Sequence, residues 1–451
     1  MRRFAVWVAA MVTLSTSIAS GDPFDQLSSR LKQYDESASR VAQPQNTTST
    51  LASQPSSIDQ HRGPASSGTW QDDWDHEGPW EEPCYGPCCD EWANDPCCNG
   101  CGIYGRAEYL YWWVRGSATP ALVTTSPENT PQASAGILPE ATVLFGGQRL
   151  NTSGRSGGRF TLGYWFDPYQ TVSIESSTLF LGSNTQKFVA SSGGTPILAR
   201  PFFDVLTNVQ DANLIAYPDV VIGTINAYST SRVVGTELNL RRSLCCDCGY
   251  RLDVLAGWRF LQLAEGLSIA TNSTSIQRDS TVPIGTNFGI LDRFTTRNNF
   301  NGGQIGLNSQ HSDGCWTLDL LAKVAIGGVG QNVGINGSTT VTQPGDTPAS
   351  SPGGILALGT NMGSYHRSRF AVLPEFGATL KYQFNPVWRV SVGYSLLILT
   401  NVVRPGDQID TRLDPDQFPP PITTTATYPK FIFNDSDIWI QGVNIGLEAS
   451  F

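Results

Sequence analysis

Apolar and polar side chains alternate along the last ten residues of the chain, GVNIGLEASF. Val443, Ile445, Leu447, Ala449 and Phe451 occupy every second position. Because successive side chains of a β-strand point to opposite faces, this alternation predicts a strand with one apolar face that runs to the final residue. The same period of two marks nine earlier segments, so the chain as a whole is expected to be all-β. The ten predicted strands are 105–115, 158–166, 170–181, 229–242, 250–264, 293–310, 315–331, 368–384, 388–400 and 437–451.

The connections between the predicted strands alternate strictly between long and short. The four short ones are 167–169, 243–249, 311–314 and 385–387, and the other five are long. Tight turns at one end and long loops at the other are typical of outer-membrane barrels. We therefore predict an antiparallel, up-and-down transmembrane β-barrel of about ten strands, or twelve. Its short turns and both chain termini are expected in the periplasm.

The two faces of each predicted strand distinguish a membrane barrel from a secreted β-sandwich. In segment 250–264, Val254 and Trp258 share an apolar face, whereas Arg251 and Asp253 lie on the other. A sandwich would bury the apolar face in a core, and a membrane barrel would turn it to lipid and the polar face to the lumen. The membrane barrel is favoured because aromatic residues concentrate near strand ends and the segments are long enough to span a bilayer.

The first 103 residues do not share this pattern. Arg2 and Arg3 precede an apolar run that ends in small residues around Ala19, which is the layout of a secretory signal peptide. A membrane anchor is the alternative, but the apolar run is short for a spanning helix. The predicted organisation is a signal peptide at 1–19, a disordered low-complexity linker at 20–69, an acidic Trp- and Cys-rich periplasmic segment at 70–103, and the barrel at 104–451.

Charged residues on the polar faces of the strands are the predicted lining of the lumen. They comprise eight cations and seven carboxylates, a balance that favours ion pairs over a strongly ion-selective pore. Two interpretations stay open: a salt-bridged plug that rigidifies the wall, and an open pore for small solutes. The cations are Arg106, Arg159, Arg241, Arg251, Arg259, Lys323, Lys381 and Arg389, and the carboxylates are Glu108, Glu175, Glu237, Asp253, Asp319, Glu375 and Glu448.

Ten cysteines fall on the predicted periplasmic side. In an exported chain they are read first as disulfides, with a soft-metal site as the alternative, and their connectivity does not follow from the sequence. One hypothesis joins the cysteines of the 243–249 turn to the one at the next turn. The candidates are Cys84, Cys88, Cys89, Cys97, Cys98, Cys101, Cys245, Cys246, Cys248 and Cys315.

Several ordered blocks resemble one known family. They include EYLYWWVRG at 108–116, RSGGRFTLGYWFD at 155–167, RFAVLPEFG at 369–377 and TNVVRPGDQID at 400–410. Together they are similar to the porin-7 (BBP7) family of bacterial outer-membrane β-barrel proteins. The resemblance implies an outer-membrane barrel with no established solute, and it carries over no catalytic residue.

The predicted function is that of a porin for passive passage of small solutes or a structural component of the envelope. A surface adhesion or assembly protein acting through its long loops is the alternative. An enzyme is not expected, because the four histidines lack a carboxylate partner at defined spacing. No cofactor or metal is predicted, and the net charge of −10 argues against nucleic acid.

The expected partners are lipids of the bacterial outer membrane and the outer-membrane assembly machinery, and a homo-oligomer is left open. The C-terminal strand, through Val443, Ile445, Leu447 and Phe451, resembles the signal that this machinery recognises.

Overall fold

Ten long β-strands dominate the computed structural model, which describes residues 102–247, 249–278, 281–419, 425 and 427–451. Each strand corresponds to one predicted segment. The predicted signal peptide, linker and nearly all of the Cys-rich segment lie outside the described residues. The strands are β1 (Ile103–Val114), β2 (Arg155–Trp165), β3 (Val172–Ser192), β4 (Val221–Asp247), β5 (Tyr250–Ser275), β6 (Asn287–Asp313), β7 (Trp316–Thr342), β8 (Gly363–Gln383), β9 (Trp388–Val403) and β10 (Asp435–Ser450).

The ten strands close into a ring. Each strand pairs antiparallel with its neighbour in the chain, and β10 also pairs with β1, where Ser450 lies opposite Tyr104. Closure leaves no unpaired edge among these strands, as a membrane-spanning sheet requires. The predicted up-and-down antiparallel barrel is therefore confirmed, with ten strands rather than twelve in the ring.

Apolar side chains cover the outside of the ring. On eight of the ten strands we find an outward-facing apolar residue that is 44–62 % exposed. Such a continuous exposed apolar surface matches the lipid-facing band of an outer-membrane barrel. The eight residues are Phe160, Phe180, Leu240, Ile305, Ile326, Phe376, Val392 and Ile445.

The short connections tighten into hairpin turns, which define the turn end of the barrel. The β4–β5 and β6–β7 turns contain Gly249 at φ +73° and Gly314 at φ +53°. Glycine adopts this left-handed backbone without a steric penalty, which allows a tight turn of few residues. The strands on either side therefore extend further into the predicted turns. In the β2–β3 turn the Asp167 carboxylate accepts N–H bonds from Thr171 and Val172 at 3.0 and 3.1 Å. Burial raises the pKa of Asp167, but these hydrogen bonds outweigh that effect and lower it.

The described parts of the long connections fold into a compact unit at the other end, here called the loop domain (residues 115–154, 193–220, 276–278, 281–286, 343–362, 404–419, 425 and 427–434). Its main sheet comprises Ala121–Thr125, Thr142–Gly146, Leu198–Asp204, Val209–Ala216 and Arg412–Leu413. Helical structure in the described residues amounts to three single 3-10 turns, and no helix there is long and apolar enough to cross a membrane.

The core of the loop domain is continuous with the inner wall of the barrel. Loop residues such as Leu122 and Phe202 pack in one buried cluster with the wall residues Ile269, Phe294 and Ile335. The sequence pattern predicted loops here, not a folded domain. The loop domain therefore sits in the mouth of the barrel and is fixed to its inner surface.

Candidate functional site

The barrel interior next to the turn end is filled by charged side chains, here called the ionic layer. All fifteen charged residues predicted to line the lumen point inward, and each forms an ion pair with another of the fifteen. The strand parity places them there, because inward and outward side chains alternate along every strand. The layer divides into three linked clusters.

The first cluster is centred on Glu375 of β8. Its carboxylate contacts Lys323 Nζ at 3.2 Å and Arg159 Nη2 at 3.5 Å, and it accepts a hydrogen bond from Arg259. Glu237 shares two of these cations, with Lys323 Nζ at 2.8 Å and Arg259 Nη1 at 3.5 Å. Arg159 also pairs with Glu108 at 3.8 Å. Six strands, β1, β2, β4, β5, β7 and β8, are thereby joined across the interior.

The second cluster is centred on Glu448 of β10, close to the turn end. Lys381 lies 3.1 Å from its carboxylate, and Arg106 and Arg389 each lie at 3.4 Å. Lys381 Nζ also contacts Asp319 at 2.9 Å. Two carboxylates and three cations therefore connect β1, β7, β8, β9 and β10.

The third cluster surrounds Asp253 of β5, which pairs with Arg241 and Arg251 at 2.8 Å each. The Arg251 guanidinium lies 4.4 Å from the centre of the Trp165 ring, a cation–π contact. Arg241 also lies 3.7 Å from Glu175, which accepts a hydrogen bond from Tyr104 Oη at 3.0 Å.

A neutral amide links the third cluster to the second. Asn308 of β6 donates to Asp319 at 2.5 Å and accepts a hydrogen bond from Arg241. A shared polar network of this kind fixes the rotamers of all its members, because moving one side chain leaves several partners unsatisfied. Two cavities in the ionic layer have volumes of about 50 and 60 Å³, and a third beside Arg159 and Arg259 has a volume of about 10 Å³.

Toward the loop end the inward positions become apolar, forming what we call the apolar layer. On β1 the inward Glu108 is followed by Leu110, Trp112 and Val114, all of them at most 1 % exposed. Residues from the other barrel strands complete this buried cluster, including Phe300 of β6. Trp112 donates a hydrogen bond from Nε1 to Asn444 Oδ1 at 2.7 Å, and the Arg159 guanidinium lies 5.1 Å from the centre of its ring. This layer was not predicted from the sequence, although apolar residues occupy the inward positions of the strands here.

Two buried ion pairs fasten the loop domain above the apolar layer. Arg404 makes a bidentate contact with Glu265 of β5 at 2.6 and 2.8 Å. Arg200 lies 2.7 Å from Asp292 of β6, and both side chains are at most 1 % exposed. Asp292 also accepts the backbone N–H groups of Ile355 and Ala357 at 3.0 and 2.8 Å. Neither pair was predicted. Arg200 and Arg404 lie outside the predicted strands, and Glu265 and Asp292 lie one residue beyond the predicted ends of β5 and β6.

Of the predicted disulfide residues, the structure describes Cys245, Cys246 and Cys315. Cys315 carries an exposed free thiol, so the hypothesis of a staple from Cys315 to the neighbouring turn is not supported. The other cysteines, Cys84, Cys88, Cys89, Cys97, Cys98, Cys101 and Cys248, lie outside the described residues, and their pairing stays a prediction. Among described side chains, no group of three His, Cys, Asp or Glu residues is arranged to hold a metal ion.

The C-terminal strand is built as the pattern suggested. Val443, Ile445 and Leu447 are 37 %, 59 % and 41 % exposed on the outer face, and Phe451 is 74 % exposed at the turn end. The Phe451 backbone N–H donates to the carbonyl of Ile103 at 2.9 Å, which closes the seam between β10 and β1. The role of these residues in assembly stays a prediction.

The closed ring, the apolar outer surface and the alternation of short turns and long loops define an outer-membrane β-barrel protein. The model of one family, described as "Putative beta barrel porin-7 (BBP7)", matches residues 104–451. The chain therefore belongs to this family, as the resemblance of its sequence blocks predicted.

Several solved structures align with this chain at low sequence identity. The outer membrane protease OmpT from Escherichia coli is 11% identical, with 78% of this chain and 97% of that chain covered and a TM-score of 0.36. A Pseudomonas aeruginosa FadL homologue is 9% identical, covering 79% and 92%, with a TM-score of 0.21. An anion-selective porin from Comamonas acidovorans is 7% identical, covering 78% and 99%, with a TM-score of 0.20. A comparison with curated proteins finds no match.

Proposed function

We propose that this protein is a structural component of the bacterial outer membrane that holds a folded loop domain at the cell surface. In this proposal the turn end and both termini face the periplasm, and the barrel does not conduct small solutes in the conformation described here. The plugged lumen is thus preferred over the open pore, and envelope architecture over passive passage.

The observation that carries this proposal is the filling of the lumen by two successive layers. A solute would have to separate the ion pairs around Glu375 and Glu448 and then cross the packed side chains of Leu110, Trp112 and Phe300. Separating one buried ion pair leaves an unpaired charge, at a cost of about 3–5 kcal/mol. The two larger cavities between the ion pairs have volumes of about 50 and 60 Å³ and can hold a few water molecules each.

Display through the loops is the second candidate function, and the loop domain favours it. Its five-strand sheet has a buried core and is fastened by the Arg404–Glu265 and Arg200–Asp292 pairs. Long loops of a simple pore have no need of such a core. A rigid surface of this kind is suited to contact with other molecules outside the cell.

Conductance in planar lipid bilayers tests the proposal. We expect no single-channel steps from the refolded full chain at any voltage. A triple variant, Leu110→Gly, Trp112→Gly and Phe300→Gly, removes three side chains of the apolar layer and is the matched control for insertion. This variant should show transient openings, since part of the barrier is gone. Reproducible steps from the unaltered protein would contradict a sealed lumen.

Recognition of the C-terminal strand by the assembly machinery is a separate part of the proposal. Deleting Phe451 removes one backbone hydrogen bond and an exposed aromatic ring, so the folded barrel should lose about 1 kcal/mol. Insertion in cells should fall much more than this small loss explains. The measurement is the fraction of heat-modifiable protein in outer-membrane preparations. Phe384→Ala, which removes another exposed aromatic ring at the turn end, is the control. Equal insertion of the two variants would argue against a terminal signal.

A further inference from the structure

A cavity of about 480 Å³ lies at the loop end of the barrel. Its walls are the inner faces of β4 to β7 on one side and loop-domain residues on the other, among them Leu214, Ile355 and Phe418. Neither the sealed lumen nor the display of loops uses this cavity. Its volume falls within the range of small-molecule sites, which often occupy the mouths of β-barrels.

The lining of this cavity is neutral. Apolar side chains such as Val221, Phe288 and Ile290 alternate with amides and hydroxyls, and none of its described lining residues is charged. Asn213 and Gln277 contribute side-chain amides that are half-buried at the cavity. A charged ligand would lose its hydration here without gaining a counter-charge. The free-energy cost of removing an uncharged ligand from water is much smaller. The chemistry of the walls therefore selects for a neutral, mainly apolar molecule with one or two hydrogen-bonding groups.

The walls of the cavity are held in place before any ligand arrives. Asp292 accepts the backbone N–H of Ile355 at 3.0 Å, and the Thr339 hydroxyl donates to the Gly353 carbonyl at 2.7 Å. Phe418 packs edge-on against Phe202, with ring centres 5.6 Å apart. A preformed site binds more tightly because less conformational entropy is lost on binding.

We propose that this cavity is a binding site for an uncharged, mainly apolar small molecule that enters from the loop end. The apolar layer beneath it blocks onward passage, so the molecule is bound rather than transported. The binding site is independent of the proposed envelope role, since a conducting barrel could carry the same site. The statement that the molecule is not transported rests on the sealed lumen of the proposed function.

Photolabelling with benzophenone tests this inference, because the probe is neutral, aromatic and carries a single hydrogen-bond acceptor. The full chain is reconstituted in lipid nanodiscs and irradiated, and the modified peptides are identified by mass spectrometry. We expect saturable labelling of peptides containing 213–221, 273–290 and 354–355. The carboxylate analogue 4-benzoylbenzoate should label these peptides at least about tenfold less, since a buried unpaired charge costs more than 1.4 kcal/mol.

A matched pair of substitutions locates the site. Val221→Asp places a carboxylate in the cavity wall and should reduce labelling of these peptides about tenfold. Val209→Asp makes the same change at the exposed first residue of the strand Val209–Ala216, which does not line the cavity, and should leave labelling unchanged. Ile290→Trp fills the cavity without adding charge and should also reduce labelling. It distinguishes loss of the site from misfolding of the Val221→Asp variant. Labelling that does not saturate, that maps to lipid-facing peptides, or that is equal in all three variants would overturn the site.

Discussion

Replacing Glu375 with alanine is expected to lower the free energy of unfolding by about 3–5 kcal/mol, because it leaves buried cations without their shared carboxylate. The Glu375 side chain is 2 % exposed and contacts Arg159, Lys323 and Arg259. Urea-induced unfolding in phospholipid vesicles, followed by tryptophan fluorescence, measures the effect. Glu140→Ala, at an exposed loop position, should change the stability by no more than about 0.5 kcal/mol.

A double variant distinguishes the effect of losing the ion pair from the effect of leaving a buried charge unpaired. In Arg259→Met with Glu375→Leu, both partners become apolar, while Lys323 keeps Glu237 and Arg159 keeps Glu108. The remaining charges thus stay paired, and the double variant should be more stable than Glu375→Ala alone. If the free energy of unfolding of Glu375→Ala lies within about 1 kcal/mol of that of the unaltered protein, the ionic layer does not stabilise the barrel in the way described.

The barrel and its ionic layer could be predicted from the sequence because lipid imposes a strict rule on each strand. Where β8 crosses the apolar band, Phe376 faces lipid and Glu375 faces inward, and a shift of one residue would reverse both. Alternation therefore identifies the strands and also the side chains that meet inside. The ten segments and the inward positions both follow from this one constraint.

The rule weakens beyond the apolar band, and the predicted strand ends were wrong there. β3 was predicted to end at 181 and continues to Ser192, and β7 was predicted to end at 331 and continues to Thr342. Outside lipid the outer face needs no apolar residue, so the alternation fades while the strand persists. Between β3 and β4 the register also shifts, because Ser231 pairs with Asn184 and Val233 pairs with Leu181. The extra residue of this bulge lies on β3 and reverses the parity of the later β3 residues.

The loop domain was missed for a different physical reason. Leu198–Asp204 reads LARPFFD, an apolar run with a proline and no period of two, because its residues are buried on both faces. Its anchor, Arg200, finds its partner on β6, far away in sequence. Contacts of this kind depend on how the loops fold over the mouth of the barrel. That arrangement cannot be predicted from the local sequence pattern.

Replacing Asp292 with alanine should release the loop domain while leaving the barrel intact. The substitution removes the partner of the buried Arg200 and the acceptor for the backbone N–H groups of Ile355, Leu356 and Ala357. Losing about 3–4 kcal/mol of local stability should raise amide exchange in 198–204 and 355–358 about 10²–10³-fold. Hydrogen exchange followed by mass spectrometry in nanodiscs measures this difference directly.

Two further variants assign the effect to its cause. Asp292→Asn keeps an acceptor for the Ile355 and Ala357 amides but loses the charge opposite Arg200, so segment 355–358 should stay better protected than in the alanine variant. Asp346→Ala removes an exposed carboxylate from the 343–362 connection, which contains 355–358. It should leave the amides of 198–204 and 355–358 protected. If exchange rose equally across β1 to β10 in Asp292→Ala, the aspartate would support the whole barrel and not the loop domain alone. Exchange confined to the loops would instead show that the barrel folds independently of the domain in its mouth, as the separate ionic and apolar layers lead us to expect.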